Sequence, residues 1–362
     1  MSDSDVRVLL LSRYDRLAAS SRVRSYQYLP YLRELGITVE SRPLFDDGYI
    51  ERLYRGRRRL AIPILTGYAR RLWDLTTTAR FDLLWIEYEL FPWLPAWFEQ
   101  LLARAAVPYV VDYDDAIFHR YDSHHSPIVR GFLGRKIDQV MRGARAVIAG
   151  NEYLAEHARG AGASRVECLP TVVDLNRYHV PTRRHVQPYT VGWIGSPLTA
   201  PYLQLVRDAL AEVCRSDGVH LTLVGSGPVS LDHVPIDVRP WSESREVAEL
   251  QAFDVGIMPL RDEPWERGKC GYKLIQYMAC GRPVVASPVG ASRHIVEHGT
   301  NGFLASTETE WVQALRALRD SALRARLGTA GRAKVERAYC VQVTAPRLAS
   351  LLRSVATTRR AG

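Results

Sequence analysis

Lysine is scarce in this chain of 362 residues: only Lys136, Lys269, Lys273 and Lys334 occur, and arginine supplies nearly all of the positive charge. Cysteine is sparse too. Cys168, Cys214, Cys270, Cys280 and Cys340 are odd in number and no two are separated by two residues, which argues against a disulfide framework and against the paired spacing of a zinc site. No apolar run reaches the roughly 18 residues of a membrane-spanning helix. Residues 1–5 are polar and acidic, without the basic stretch and long apolar core of a signal peptide, so none is expected. Reduced thiols of this kind suit a cytoplasmic protein.

What is present points to a globular chain rather than a disordered one. Apolar residues make up 47% and charged ones 24%, and the length suits two medium domains better than one. The net charge of +9 suits phosphorylated small molecules, anionic lipid or nucleic acid. No recognition-helix or aromatic-platform motif supports nucleic acid, which is not expected as a partner.

Strand-like apolar runs alternate with helical periodicity along the whole chain. Strands are expected at 6–11, 37–44, 82–87, 108–111, 144–149 and 166–169, with helices at 26–35, 93–105, 128–142 and 152–160 and a polar loop at 12–24. Residues 180–188 carry two prolines and two arginines without periodicity and read as a linker. Beyond it, strands are expected at 189–194, 221–224, 238–240, 255–259 and 283–286, and helices at 200–214, 243–252 and 273–280. The fold class is therefore α/β, with a first domain at 1–182, a second at 188–335 and a terminal segment at 336–362. Right-handed crossovers put all strand C-termini of each module on one edge, where ligands of such sheets bind. Two such edges facing one another would form a cleft.

The densest chemistry lies in residues 255–290. Lys269, Lys273 and Gln276 follow i, i+4, i+7 spacing, which predicts one helical face near a helix N-terminus, a favourable place for a diphosphate. A solvated charged face is the alternative. Gly195 and Ser196 end the first strand of the second domain and Gly225 ends the next; a glycine there admits phosphates closely, and Thr199 is a candidate cap for the following helix. In the first domain, Asp112, Asp114 and Asp115 crowd one strand end, followed by His119. Three acids repel one another without a partner, which favours a role with ligand over a capped turn. Glu87 and Glu89 end the preceding strand and are candidates for the acceptor site. Ser21, Arg22 and Arg24 are candidates to meet phosphate or acceptor hydroxyls, or are solvated residues of a helix start. Residues 51–73 combine seven arginines with aliphatic and aromatic groups. They fit an anionic membrane surface, or an ordinary solvated helix pair.

Residues 270–290, including Met278-Ala279-Cys280-Gly281-Arg282-Pro283, resemble the donor-binding signature of the retaining glycosyltransferases of family 4, which have the GT-B fold. Residues 298–304, 223–228 and 167–174 resemble further segments of that family in the expected order. The resemblance implies two Rossmann-like parallel-sheet domains facing across a cleft, with segment 336–362 returning to the first. It implies a UDP- or GDP-linked sugar as co-substrate, no other cofactor and no metal, so the Asp-x-Asp pattern at 112–114 is not read as a metal site. Lys273, helped by Lys269, would neutralise the leaving diphosphate, and Trp241 would flank the base. The family's two glutamates fall on Gly268 and Gln276. Gln276 would then hold the ribose without charge, and Asp262, Glu263 or Glu266 would rebuild the sugar contacts. The family's strand-end histidine falls on Asp114, making Asp114 and Asp115 catalytic candidates.

The implied activity is sugar transfer with retention to a glycan, lipid-linked or small-molecule acceptor, in bacterial polysaccharide or cell-envelope synthesis, by a cytoplasmic enzyme at or near the inner membrane face. The rival expectations are a nucleotide-sugar epimerase of the same architecture and a non-catalytic nucleotide-sugar binder.

Overall fold

The computed structural model describes residues 6–54, 61–104, 107–181 and 189–360. The arginine run 57–59 and residues 182–188 of the expected linker lie outside them. The chain divides into two compact units. Unit 1 holds residues up to Thr171, the short segment Gly268–Cys270 and residues from Val341 onward; unit 2 holds Val172–Arg267 and Gly271–Cys340.

Unit 1 is built on six parallel strands: β1 (Val6–Leu11), β2 (Ile37–Ser41), β3 (Leu83–Glu87), β4 (Tyr109–Tyr113), β5 (Ala146–Ala149) and β6 (Val166–Cys168), ordered β2-β1-β3-β4-β5-β6. The inner strands β3, β4 and β5 are buried at every position, because helices cover both faces of the sheet and neither face can be polar. The order reverses between β1 and β3, and such reversals open a crevice at the strand C-termini. The final helix, Val341–Arg360, packs within this unit: the Thr344 and Tyr28 hydroxyls hydrogen-bond at 2.8 Å, and Arg347 donates to the Cys168 carbonyl at 3.1 Å.

Unit 2 repeats the plan with β7 (Thr190–Ile194), β8 (His220–Val224), β9 (Ile236–Arg239), β10 (Val255–Met258), β11 (Val284–Ala286) and β12 (Gly302–Leu304), ordered β12-β11-β10-β7-β8-β9. Counted from its own first strand this is the 3-2-1-4-5-6 arrangement of dinucleotide-binding folds, with its reversal between β7 and β10. Among the described residues no helix is long and apolar enough to cross a membrane.

Several expected elements differ. Residues 12–24 are not all loop: Ala19–Arg24 is helical. The helix expected at 26–35 opens as a 3-10 turn, Tyr26–Tyr28, before Leu29–Glu34, whose first turn holds Pro30. The one expected at 200–214 likewise starts as 3-10, Ala200–Val206 with Pro201, and continues as Arg207–Asp217. Proline cannot donate its nitrogen to a preceding turn, so it sits where a helix begins. The helix expected at 128–142 is two, Pro127–Leu133 and Lys136–Gly143. The helix Glu308–Ala317 went unanticipated, although its capping box, Thr307 with Glu310, is a local signal.

Unit 2 has little spare room behind its strand edge. A Cβ on Gly256 of β10 would lie 2.2 Å from the Tyr277 ring. The Tyr277 hydroxyl accepts the Ile194 N–H at 3.0 Å, at the end of β7. Gly256→Ala is therefore expected to lower stability by about 1–3 kcal/mol by overpacking. Urea unfolding checks this; an unchanged midpoint would contradict it.

Candidate active site

In unit 1 the ends of β1, β3 and β4 bring together most of the charged candidates. Glu87 accepts the Ser21 hydroxyl at 2.6 Å and the Arg13 N–H at 3.0 Å, and its other oxygen is buried without a partner. Burial pushes its carboxyl above the usual range. Glu89 has the opposite balance. Burial opposes its charge, but the Arg13 guanidinium and the Lys136 ammonium, the latter at 2.6 Å, hold the carboxyl below its ordinary value.

The arginines of the helix Ala19–Arg24 are buried, not solvated. Arg24 donates from Nε and Nη2 to Asp112 Oδ1 at 3.0 and 2.6 Å, and from Nη1 to the Leu169 carbonyl at 2.9 Å. Arg22 donates to the carbonyls of Arg16 and Leu17 at 3.1 and 3.2 Å. The helical turn carries both guanidiniums inward, so Arg24 and Asp112 neutralise each other and Arg22 braces the preceding loop.

The acid cluster is thus not a set of unpartnered charges. Asp112 has Arg24. Asp115 Oδ1 lies 3.7 Å from Lys269 Nζ. Asp114 accepts the hydroxyl of Tyr88, a residue held at φ 63° just beyond β3. Burial first, and then the neighbouring Asp115 charge, raise the Asp114 carboxyl to about 7. His119 stands on a short helix, His119–Asp122, with its ring nitrogens 3.0 Å from Asp122 Oδ1 and 2.8 Å from the Tyr153 hydroxyl.

Gly268–Cys270 packs against these residues. Asn151 donates its amide to the carbonyls of Gly268 and Lys269 at 2.9 and 3.1 Å, and Cys270 Sγ lies 3.1 Å from the Asp114 carbonyl oxygen. A Cβ on Gly268 would fall 2.4 Å from Ala116 Cβ. No glutamate fits at 268 in this arrangement, a physical reason for the missing carboxylate.

Lys269, Lys273 and Gln276 do not share one helical face. The helix is Tyr272–Ala279, and Gly271 before it takes φ 68°, which turns the chain out of helical register. Lys269 belongs to unit 1 and Lys273 to unit 2. Lys273 Nζ sits 5.2 Å from the Trp193 ring of β7, and one turn on, Tyr277 anchors the helix to Ile194.

Beyond Ile194 the backbone is packed tightly. A Cβ on Gly195 would meet the Trp193 ring at 2.3 Å, and one on Gly225, at φ 78°, would meet the Gly195 carbonyl at 2.4 Å. Thr199 does not cap the next helix with its side chain; its hydroxyl accepts the Ser196 N–H at 3.2 Å instead, closing the turn. Glu266, on the short helix Pro264–Arg267, accepts the Tyr202 hydroxyl with one oxygen, while the other is buried without a partner. Asp262 pairs at the surface with Arg267 at 2.7 Å. Gln276 is buried and donates to the Tyr178 hydroxyl at 2.8 Å. Tyr178 in turn donates to Glu246, which also accepts the Trp241 indole N–H at 2.8 Å.

Two family models match the chain in succession: "Glycosyl transferase 4-like domain" over residues 2–171 and "Glycosyl transferases group 1" over 188–321. Each unit thus matches a glycosyltransferase domain model, on the two-sheet α/β architecture of the GT-B fold. N-acetyl-alpha-D-glucosaminyl L-malate synthase of Bacillus anthracis is 30% identical over 144 residues, 37% of either chain. The matches span 37–55% of the length of the curated relatives. In structure, the chain is similar to sucrose-phosphate synthase from Thermosynechococcus elongatus, with a TM-score of 0.72 and 16% identity over 98% of this chain and 100% of that one. It is also similar to Anabaena HepE in complex with UDP-glucose, with a TM-score of 0.69 and 17% identity over 96% of this chain and 99% of the other.

Sequence reasoning missed Tyr88, Arg13, Tyr178, Tyr202 and Glu246. Tyr202 and Glu266 are 64 positions apart, and Arg13 and Glu89 are 76, so no local spacing announces either pair. Lys136 did carry a signal, as one of only four lysines.

The Asp114 environment sets a testable pH dependence. Its folded pKa lies above the unfolded value, so the folded chain holds a proton that the unfolded chain has lost between about pH 4 and pH 7. Stability from this group therefore falls as pH rises through that window, by at most about 1.4 kcal/mol per pH unit. In Asp114→Asn that slope should vanish. Parallel urea titrations of both proteins from pH 4 to 8 measure the difference, and identical slopes would refute the assignment.

Proposed function

We propose that this chain transfers a sugar, with retention at the anomeric carbon, from a nucleotide-diphosphate sugar to an acceptor hydroxyl, without a metal. The observation that carries the reading is the placement of Lys273. It stands in the first turn of a helix anchored to the end of β7, beside Gly195, where the order of the sheet reverses. A diphosphate there would meet an ammonium group and a helix N-terminus together. Charge grows on the leaving oxygen as the anomeric bond breaks, and a fixed cation lowers that barrier. Gly195, Ser196 and Gly225 keep the backbone close to the phosphates. Lys269 stands beside Asp115 and serves the sugar side of unit 1 in this reading.

Glu266 takes over the hydroxyl-binding role that Gly268 cannot fill, since its unpartnered oxygen calls for a hydroxyl donor. Gln276, through Tyr178 and Glu246, positions Trp241 along the ribose and base. In unit 1, Asp114, with a carboxyl near neutrality, orients a sugar hydroxyl or accepts the acceptor's proton. Glu87 offers its unpartnered oxygen to the acceptor. UDP is the first nucleotide to test, because HepE, of like fold, was solved with UDP-glucose. Cell-envelope or polysaccharide synthesis in the cytoplasm is the setting the resemblance supports.

Lys273→Ala is expected to lower turnover about a hundredfold or more with any accepted donor. A rate near that of the wild type would remove Lys273 from the mechanism. Nucleotide binding is checked separately by thermal shift across UDP, GDP and their sugars. A true ligand at about 100 times its dissociation constant adds about 2.7 kcal/mol, and no shift with any of them would defeat the donor assignment.

A further inference from the structure

Among the described residues, eight large apolar side chains are more than 60% exposed, and seven of them belong to unit 1. They lie on three helices: Ile62, Leu65 and Trp73 on Ala61–Thr76, Trp97 and Leu101 on Trp97–Arg104, and Ile128 and Phe132 on Pro127–Leu133. These helices flank one loop, residues 88–96, that follows β3. The Tyr68 ring packs 5.4 Å from Phe91, and Phe91 packs 4.7 Å from Phe98. Trp93, itself exposed, stands 5.3 Å from the Tyr121 ring and 5.7 Å from that of His124. Arg130 of the third helix donates to the carbonyl of His124, the residue whose ring stands beside Trp93, at 2.6 Å.

Charge on the three helices is sorted by sign. Their acids, Asp74 and Glu99, are both buried. Arg71 is buried as well, while Arg70, Arg104 and Arg130 are exposed. Solvent therefore meets tryptophan, aliphatic side chains and guanidinium groups there, and no carboxylate from these helices. Apolar groups rimmed by cations match the boundary of an anionic bilayer, where indole rings sit at headgroup depth and arginines meet lipid phosphates.

We infer that this face of unit 1 docks on an anionic lipid bilayer and that the acceptor is lipid-linked. The second half rests on the proposed transferase reading. Trp93, Ile128 and Phe132 follow β3 and β4, the strands that end in Glu87 and in Asp112–Asp115, so docking brings the acceptor side to headgroup level. The surface lies on described helices and differs from the arginine run at 57–59.

The full chain is tested by cosedimentation with phosphatidylcholine vesicles, with and without about one third phosphatidylglycerol. Binding is expected only with the anionic lipid, weakening as salt rises. The double variants Ile62→Gln/Trp73→Gln and Ile128→Gln/Phe132→Gln should each bind at least about tenfold more weakly. Both should keep the wild-type thermal shift with UDP, which shows that they fold and bind donor. The inference is overturned if wild type stays in the supernatant, if it binds neutral vesicles equally, or if the variants bind like wild type. It is also overturned if gel filtration shows a dimer that the variants convert to monomer, because the face would then join two copies. Loss of the UDP shift in wild type counts against the donor reading alone and leaves the vesicle result standing.

Discussion

A guanidinium and a carboxylate buried together, Arg24 on Asp112, organise the strand ends of unit 1. Neither charge could be left there alone: an uncompensated ion in such a site costs about 3–5 kcal/mol. The pair therefore locks the helix Ala19–Arg24 to the end of β4, and its third contact, to the Leu169 carbonyl, reaches the chain beyond β6. Ser21, on the same helix, is thereby held against Glu87. The chemistry of the neighbouring acids follows from what this pair consumes. Asp112 is spent on Arg24 and Glu89 on Arg13 and Lys136, while Asp114 has a tyrosine hydroxyl and a like-charged neighbour. Burial and the adjacent Asp115 charge raise the Asp114 carboxyl to about 7, near neutrality.

Unit 2 solves a different problem, the close approach of backbone to backbone at the end of β7. Trp193, Gly195 and Gly225 fill the space so completely that an added methyl at either glycine would overlap a ring or a carbonyl. A side chain at 225 would also strain a left-handed turn. The helix carrying Lys273 is held to this edge by the Tyr277–Ile194 hydrogen bond, so the cation's position depends on packing behind it. Charge and steric economy thus meet at one strand end.

The alternation of strands and helices was legible because each run carries its own evidence. Residues 6–11 and 152–160 emerge as Val6–Leu11 and Glu152–Gly160 with the expected bounds. Strand bounds elsewhere shift by one to three residues, because pairing with the neighbouring strand, not the apolar run itself, sets where each ladder starts and stops. Helix starts were less legible, since Pro30 and Pro201 favour a tighter first turn that periodicity does not reveal. The glycine turns at 195 and 225 were legible as well, because a residue without a side chain at a strand end has few other uses.

The ionic partners were not legible. Arg22 and Arg24 look like solvated cations in a polar stretch, yet both are buried, and the bond from Arg24 to Leu169 spans 145 positions. Regular i, i+4, i+7 spacing put Lys269 on a helix that Gly271 does not allow to begin so early. Local sequence alone dictated two α/β modules and the succession of their strands, because hydrophobic periodicity and glycine conformation act over a few residues. Which charges are spent on one another and which remain for a ligand was decided only in the folded chain, because desolvation and ion pairing join groups far apart in sequence.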